Sequence, residues 1–140
     1  MISAVLDTNV IVSATLTHRG AAAAILEAGL RGDFHLIVSP PLLLEYELVL
    51  MRPKFGHEPD HVIRLINAIR DVADVVSPLE SLAISPDPDD NRLLECSVMA
   101  KAHCLVTGNK KHFPEQWEST RIVSPREFLD ALGSRKPQTP

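Results

Sequence analysis

The sequence of 140 residues predicts an α/β fold, with a mostly parallel central sheet and helices on both faces of the sheet. Two observations support this prediction. Short, continuously apolar runs recur along the chain, and stretches with helical periodicity separate them. Strands that are apolar throughout are typical of a parallel sheet buried on both faces, in which the helices are the crossover connections.

Five apolar runs are the predicted strands. They cover residues 4–6, 36–38, 72–76, 105–106 and 122–123. Oxygen-bearing side chains come directly after them: Asp7, Ser39, Ser77, Thr107 and Ser124. Because ligands of open parallel sheets bind at the carboxyl ends of the strands, we expect these side chains to face a common site.

The helices are predicted from apolar stripes and from their first residues. The stripes are Ala22, Ile25, Leu26, Gly29 and Leu30; Val62, Leu65, Ile66 and Ile69; and Leu93, Leu94, Val98 and Ala102. The pairs Ser39-Pro40, Asp87-Pro88 and Ser124-Pro125 each place a capping side chain before a proline at the first helical position. Glu127 completes a capping box with Ser124. Gly32-Asp33 predicts the end of the first long helix, and residues 52–56 predict the end of the second.

The composition indicates a soluble globular protein. We expect one domain over residues 1–132 and a disordered tail over 133–140. A net charge of -4 argues against a broad basic face that coats duplex DNA. Two cysteines without CxxC spacing make neither a zinc cage nor a disulfide scaffold. No apolar stretch is long enough to span a bilayer, so we expect a cytoplasmic protein.

Asp7 is the first candidate site residue, because it stands at the end of a strand that is predicted to be buried. A desolvated carboxylate needs hydrogen-bonding or cationic partners, and Thr8 and Asn9 follow it directly. Several carboxylates gathered there would favour a divalent metal. The alternative is that Asp7 only caps a short helix that follows it.

Two other groups of acids are candidates. Asp87, Asp89 and Asp90 lie at the start of a predicted helix, where capping explains one or two of them, and Asp90 is best placed to turn inward. Glu45 and Glu47 are about 200° apart on a helix, so at most one faces the sheet edge and the other is expected in solvent. Periodicity alone does not choose between them.

The segment after the fourth strand, residues 107–112, adds a hydroxyl, an amide oxygen and two lysines. Lys110 and Lys111 could grip phosphate, and the alternative is an ordinary solvated loop. The six histidines lack a metal-binding spacing, so none is assigned to a metal.

The order of these motifs resembles the PIN-domain family, most closely its toxin branch related to VapC-type toxins. The motifs are Asp7-Thr8-Asn9, an acid in the second helix, Asp89-Asp90-Asn91 and Val106-Thr107-Gly108-Asn109, within a resemblance from about Ile2 to Leu132. The resemblance implies a three-layer α/β/α sandwich and a ribonuclease that uses Mg²⁺ or Mn²⁺. It also implies a cognate antitoxin as partner and favours a homodimer.

Carried over by residue, the resemblance assigns the site. Asp7, Glu45 and Asp90 match the three main acids, and Asn109 stands where the family usually has an Asp. Asp7 and Asp90 would hold the metal, Glu45 would bind it or act as a base, and Asn9 and Thr107 would orient the cluster. Asp89 or Glu95 would compensate for Asn109. Lys110, Lys111 and Arg52 would position the RNA backbone.

Two other functions are weighed against this one. Asn109 motivates a degenerate PIN-like module that binds RNA or a protein without cleavage. A phosphoacceptor signalling domain is less compatible with the sequence, because its acceptor acid would follow the third strand, where this chain has Ser77-Pro78.

Overall fold

A computed structural model describes residues 1–77 and 88–135 as an α/β fold around a six-stranded sheet. The strands are β1 (Ser3–Leu6), β2 (His35–Val38), β3 (Asp74–Val75), β4 (Cys104–Val106), β5 (Gln116–Trp117) and β6 (Thr120–Val123). Their order is β3-β2-β1-β4-β6-β5, and every neighbouring pair is parallel except β5 and β6. The predicted fold class is therefore confirmed.

Helices connect the parallel strands. They are α1 (Thr8–Leu16), α2 (Ala21–Arg31), α3 (Pro40–Leu50), α4 (Pro59–Val72), α5 (Pro88–Ala100) and α6 (Pro125–Arg135), with single 3-10 turns at Pro53–Phe55 and Lys110–His112. Among the helices in the described ranges, none combines the length and the apolar character needed to cross a membrane.

The core lies on both faces of the central strands. Every residue of β1 is buried, because β1 pairs with β2 on one side and with β4 on the other and helices cover both faces. Phe34 and Phe128 meet edge to face with their ring centroids 5.0 Å apart, which ties the start of β2 to α6.

The predicted helix ends are largely confirmed. Ser39 caps α3 by accepting the Leu42 N–H at 3.3 Å. Ser124 and Glu127 exchange the two hydrogen bonds of a capping box at the start of α6, at 2.9 and 3.1 Å. Gly32 ends α2 with a φ of 82°, a left-handed conformation that glycine adopts without strain. The predicted cap Asp87 lies outside the described residues.

Two predicted boundaries differ from the structure, and one strand was not predicted. Val72 ends α4, and the strand after it covers only Asp74–Val75, because the amphipathic α4 pattern continues to that residue. The short antiparallel strand β5 was missed, since two residues give no period. Helix α6 continues to Arg135, three residues into the predicted tail, and 136–140 lie outside the described ranges.

Candidate active site

The carboxyl ends of the parallel strands meet at one edge of the sheet, as the sequence predicted. Asp7, Thr107 and Ser124 follow β1, β4 and β6, whose last residues are in register with one another. The Asp7 N–H donates to the Val106 carbonyl and the Thr107 N–H donates to the Val123 carbonyl, both at 2.9 Å. Ser39 follows β2 on the other side of Asp7.

Asp7 is buried and is hydrogen-bonded through both carboxylate oxygens. Oδ1 accepts the backbone N–H of Asn9 at 3.3 Å, so Asp7 caps α1 as the simpler interpretation predicted. Oδ2 accepts the Thr107 hydroxyl at 2.7 Å, which joins Asp7 to the end of β4. Two donors thus stabilise the ionised carboxylate and fix its position at the strand end.

Three predicted acids line one pocket of about 170 Å³, which we call the acid pocket. Its lining residues are Asp7, Thr8, Asn9, Glu45, Val49, Arg52, Asp90 and Leu93. The Thr8 hydroxyl donates to Glu45 Oε2, so the start of α1 holds this α3 side chain. Glu47 is half-buried and lies along a separate groove with Ile66 and Arg70, so Glu45 is the acid of the two that lines the acid pocket.

Tyr46 is a site residue that the sequence did not indicate. Its side chain is fully buried, and its hydroxyl donates to the carbonyl of Leu6, the residue before Asp7. Burial raises the pKa of Tyr46 well above its usual 10.0, and the neighbouring Cys96, Asp7 and Glu45 raise it further. A neutral Tyr46 therefore holds α3 against the end of β1. The sequence feature that could have indicated Tyr46 is that the single tyrosine of the chain stands next to Glu45.

Asp90 is buried near the start of α5, with a histidine beside it. His112 Nδ1 lies 3.6 Å from Asp90 Oδ2, which brings the turn after β4 against α5. His112 was assigned no role from the sequence, because a lone histidine in a polar loop carries no metal-binding pattern.

The comparisons with known proteins identify the family. Residues 3–111 match the PIN-domain family model, which is well over half of the chain. The chain belongs to the PIN-domain family. This PIN domain is 25% identical to an uncharacterized protein of Methanocaldococcus jannaschii, over 92% of this chain and 90% of that protein.

Two solved structures share the fold of this PIN domain. VapBC2 from Rickettsia felis, bound to a DNA fragment from their promoter, matches with a TM-score of 0.60 and 15% identity over 88% of this chain and 98% of that one. VapBC-1 from nontypeable Haemophilus influenzae matches with a TM-score of 0.58 and 18% identity, over 89% and 99%. At identities this low, the structural matches show a shared fold alone.

Asn109, Lys110 and Lys111 do not line the acid pocket. Asn109 is exposed, and its backbone N–H donates to Thr107 Oγ1 at 3.0 Å. Lys110 pairs with Glu127 at 2.8 Å, and Lys111 is exposed. Asp89 lies in the first turn of α5, and its side chain is outside the described part.

Glu95 is buried in a forked ion pair with Arg92. The Arg92 Nε–H and Nη2–H groups donate to the two carboxylate oxygens of Glu95, each at 2.6 Å. Such paired charge-assisted hydrogen bonds give both side chains a defined orientation. The arrangement is evidence against Glu95 as the replacement for the charge that Asn109 lacks, because its two oxygens already face a guanidinium.

The donor chemistry of the acid pocket fits a hard divalent cation. Carboxylate oxygens of Asp7, Glu45 and Asp90 are the ligands that Mg²⁺ and Mn²⁺ prefer, with hydroxyl and amide oxygens from Thr8 and Asn9 beside them. Among the side chains that the structure describes, which do not include that of Asp89, no three His, Cys, Asp or Glu groups stand close enough to hold a metal ion.

Proposed function

We propose that this PIN domain is a metal-dependent endoribonuclease that hydrolyses RNA phosphodiesters. The observation that carries the proposal is the meeting of Asp7, Glu45 and Asp90 in one pocket at the carboxyl edge of the sheet. These acids come from three different parts of the chain, and burying several carboxylates together is costly unless a cation joins them. Membership of the PIN-domain family independently supports a nuclease.

Each residue of the acid pocket has a role in this proposal. Asp7 and Asp90 would hold Mg²⁺ or Mn²⁺, and Glu45 would bind the ion or accept a proton from the attacking water. When bound, the ion supplies Lewis-acid polarisation of the phosphodiester and of that water. Asn9 and Thr107 orient Asp7, through the Asn9 backbone N–H and the Thr107 hydroxyl.

Basic side chains around the pocket would position the RNA backbone. Arg52 lines the acid pocket, and Lys110 and Lys111 lie on the turn after β4. The ion pair of Lys110 with Glu127 is exposed, and exposed pairs contribute little, so a phosphate can replace Glu127. Contacts of this kind place the substrate without reading its bases.

The proposed biological role is that of a toxin with a cognate antitoxin in the cytoplasm. The resemblance to VapC-type toxins supports it, and both structural neighbours are VapBC assemblies. We also propose a homodimer, because Ile63 and Val72 are large apolar side chains exposed on α4.

The first experiment is cleavage of a mixed-sequence single-stranded RNA by purified protein with Mn²⁺, Mg²⁺ or EDTA. We expect metal-dependent cleavage that falls at least about 100-fold in Asp7→Asn and in Asp90→Asn, because loss of even an outer-shell contact costs up to about that factor. Glu45→Gln should also lose activity. Glu47→Gln is the matched control, since it removes the same charge from the same helix.

The second candidate function is a PIN-like module that binds RNA or a protein without cutting. The exposed Asn109, which is not among the lining residues of the acid pocket, favours it, since a neutral side chain supplies no fourth charge. Folded wild-type protein that binds the RNA, leaves it intact with Mn²⁺, and retains its affinity after Asp7→Asn would establish this function instead of the nuclease.

A further inference from the structure

A second groove adjoins the acid pocket and has a different chemical character. It has a volume of about 280 Å³ and shares Glu45, Val49 and Arg52 with the acid pocket. Pro41, Leu44 and Leu48 supply apolar surface from α3, and Arg92 enters from α5. We call it the arginine groove. A ligand strand that enters the acid pocket can therefore continue directly into the arginine groove.

The two arginines reach the groove from different elements. Arg52 stands just after α3, and its exposed side chain makes no ion pair or hydrogen bond within the described ranges. Arg92 is oriented by its forked pair with Glu95, while 38% of its side chain is exposed. Guanidinium groups with this placement suit an anion, and a phosphate is recognised by them particularly well.

We propose that the arginine groove binds the nucleotide next to the scissile phosphate of a single-stranded RNA, with Arg52 and Arg92 contacting its phosphate. The proposal rests on the proposed nuclease function and assigns its substrate path. A strand whose scissile phosphate lies in the acid pocket would pass Arg52 and leave beside Arg92.

The apolar surface of the groove explains how such a nucleotide would be accommodated. Pro41, Leu44 and Leu48 offer contact area for a sugar or base, and none of the three carries an aromatic ring or a side-chain hydrogen-bond group. Binding would therefore depend on phosphate charge and show little base preference.

The lysines predicted to grip RNA lie on another side of Asp7. Lys110 is bound to Glu127 on α6, the helix after β6, whereas the groove lies along α3, the helix after β2. In the sheet, β2 and β6 lie on opposite sides of β1. We therefore assign the nucleotide next to the cut to the arginines, in preference to Lys110.

The test is the affinity of a fluorescein-labelled, mixed-sequence, single-stranded RNA of ten nucleotides, measured by anisotropy in EDTA so that no cleavage occurs. Arg52→Gln is the first variant, because it leaves no buried partner behind. For Arg92, the double variant Arg92→Gln/Glu95→Gln avoids a buried unpaired carboxylate. Arg64→Gln, which removes an exposed arginine from α4, is the matched control.

We expect Arg52→Gln and the double variant each to weaken binding about five-fold and to lower the slope of log affinity against log salt by about 0.7, the value for one phosphate contact on a single strand. Arg64→Gln should change neither. Equal affinity and equal slope in Arg52→Gln, Arg64→Gln and wild type would overturn the proposal, as would wild-type protein that does not bind RNA.

The result separates this proposal from the nuclease proposal. Arginine-dependent binding without metal-dependent cleavage would leave the groove assigned and the nuclease rejected. Cleavage that depends on Asp7, together with RNA binding that neither arginine variant weakens, would support the nuclease and reject the groove assignment. An acidic peptide that binds through the same arginines while RNA does not would identify the groove as a protein-binding site and overturn the RNA assignment.

Discussion

The Asp7 carboxylate serves both the helix that follows it and the strand beside it. One oxygen caps α1 and the other accepts the Thr107 hydroxyl, while Tyr46 holds the preceding carbonyl of Leu6. Capping and site function were alternatives at the level of the sequence. In the structure they are compatible, because a carboxylate has two oxygens and enough lone pairs for several donors.

Cys96 is buried behind the site, and its ionisation is linked to stability. Burial raises the pKa of the Cys96 thiol from 9.0 to about 12, and a hydrogen bond with Ser39 partly offsets this. Between pH 9 and pH 12 the thiol ionises in the unfolded state and stays protonated in the folded state, so a rising pH favours unfolding. The stability that Cys96 contributes is therefore complete below pH 9 and is lost as the pH rises toward 12.

Between pH 9 and pH 10 we therefore expect the free energy of unfolding of the wild type to fall by up to about 1.4 kcal/mol more than that of Cys96→Ala. Urea unfolding at several pH values measures this difference in slope, which is independent of the constant loss caused by the smaller side chain. Parallel pH profiles for the two proteins would contradict the assignment.

At the scale of one element, helix α3 carries residues of both the acid pocket and the arginine groove. Glu45 and Val49 are four residues apart and line both the acid pocket and the arginine groove, whereas Leu44 and Leu48 line the arginine groove and not the acid pocket. Tyr46 and Leu50 form its buried side. One helix thus presents three faces, which explains why its periodicity did not reveal a single apolar stripe.

Helix α6 depends on its capping box at the same edge of the sheet. Ser124→Ala removes the side-chain acceptor for the Glu127 N–H, and we expect a loss of about 1 kcal/mol in the free energy of unfolding. Ser13→Ala, an exposed change inside α1, is the control and should cost nothing. Equal unfolding midpoints for the two variants in urea would contradict the capping role.

The whole molecule places its chemistry at one end of a parallel sheet. Strand order puts β1 between β2 and β4, so the helices after β2 and before β4 deliver Glu45 and Asp90 to the side chain that follows β1. The net charge of -4 makes such a cluster dependent on a cation when it approaches a polyanion. The three acids therefore predict a metal effect on the stability of the entire domain.

We expect millimolar Mn²⁺ or Mg²⁺ to raise the melting temperature of the wild type, because an ion that binds only the folded state stabilises it by about 2.7 kcal/mol at 100 times its Kd. Asp7→Asn and Asp90→Asn should lose this response, and Glu47→Gln should retain it. Thermal melts with each ion and with EDTA measure it. The same shift in all four proteins would mean that the ion binds elsewhere.

The sequence by itself determined the fold class, four of the strand ends and the place of Asp7 at the end of the first strand, because apolar runs and capping residues act over a few neighbours. Only the tertiary structure decided that Glu45 rather than Glu47 lines a pocket with Asp7, that Tyr46 reaches Leu6, and that Arg92 and Arg52 line one groove. These contacts depend on the rotation of α3 and α5 against the sheet, which long-range packing sets and local periodicity does not record.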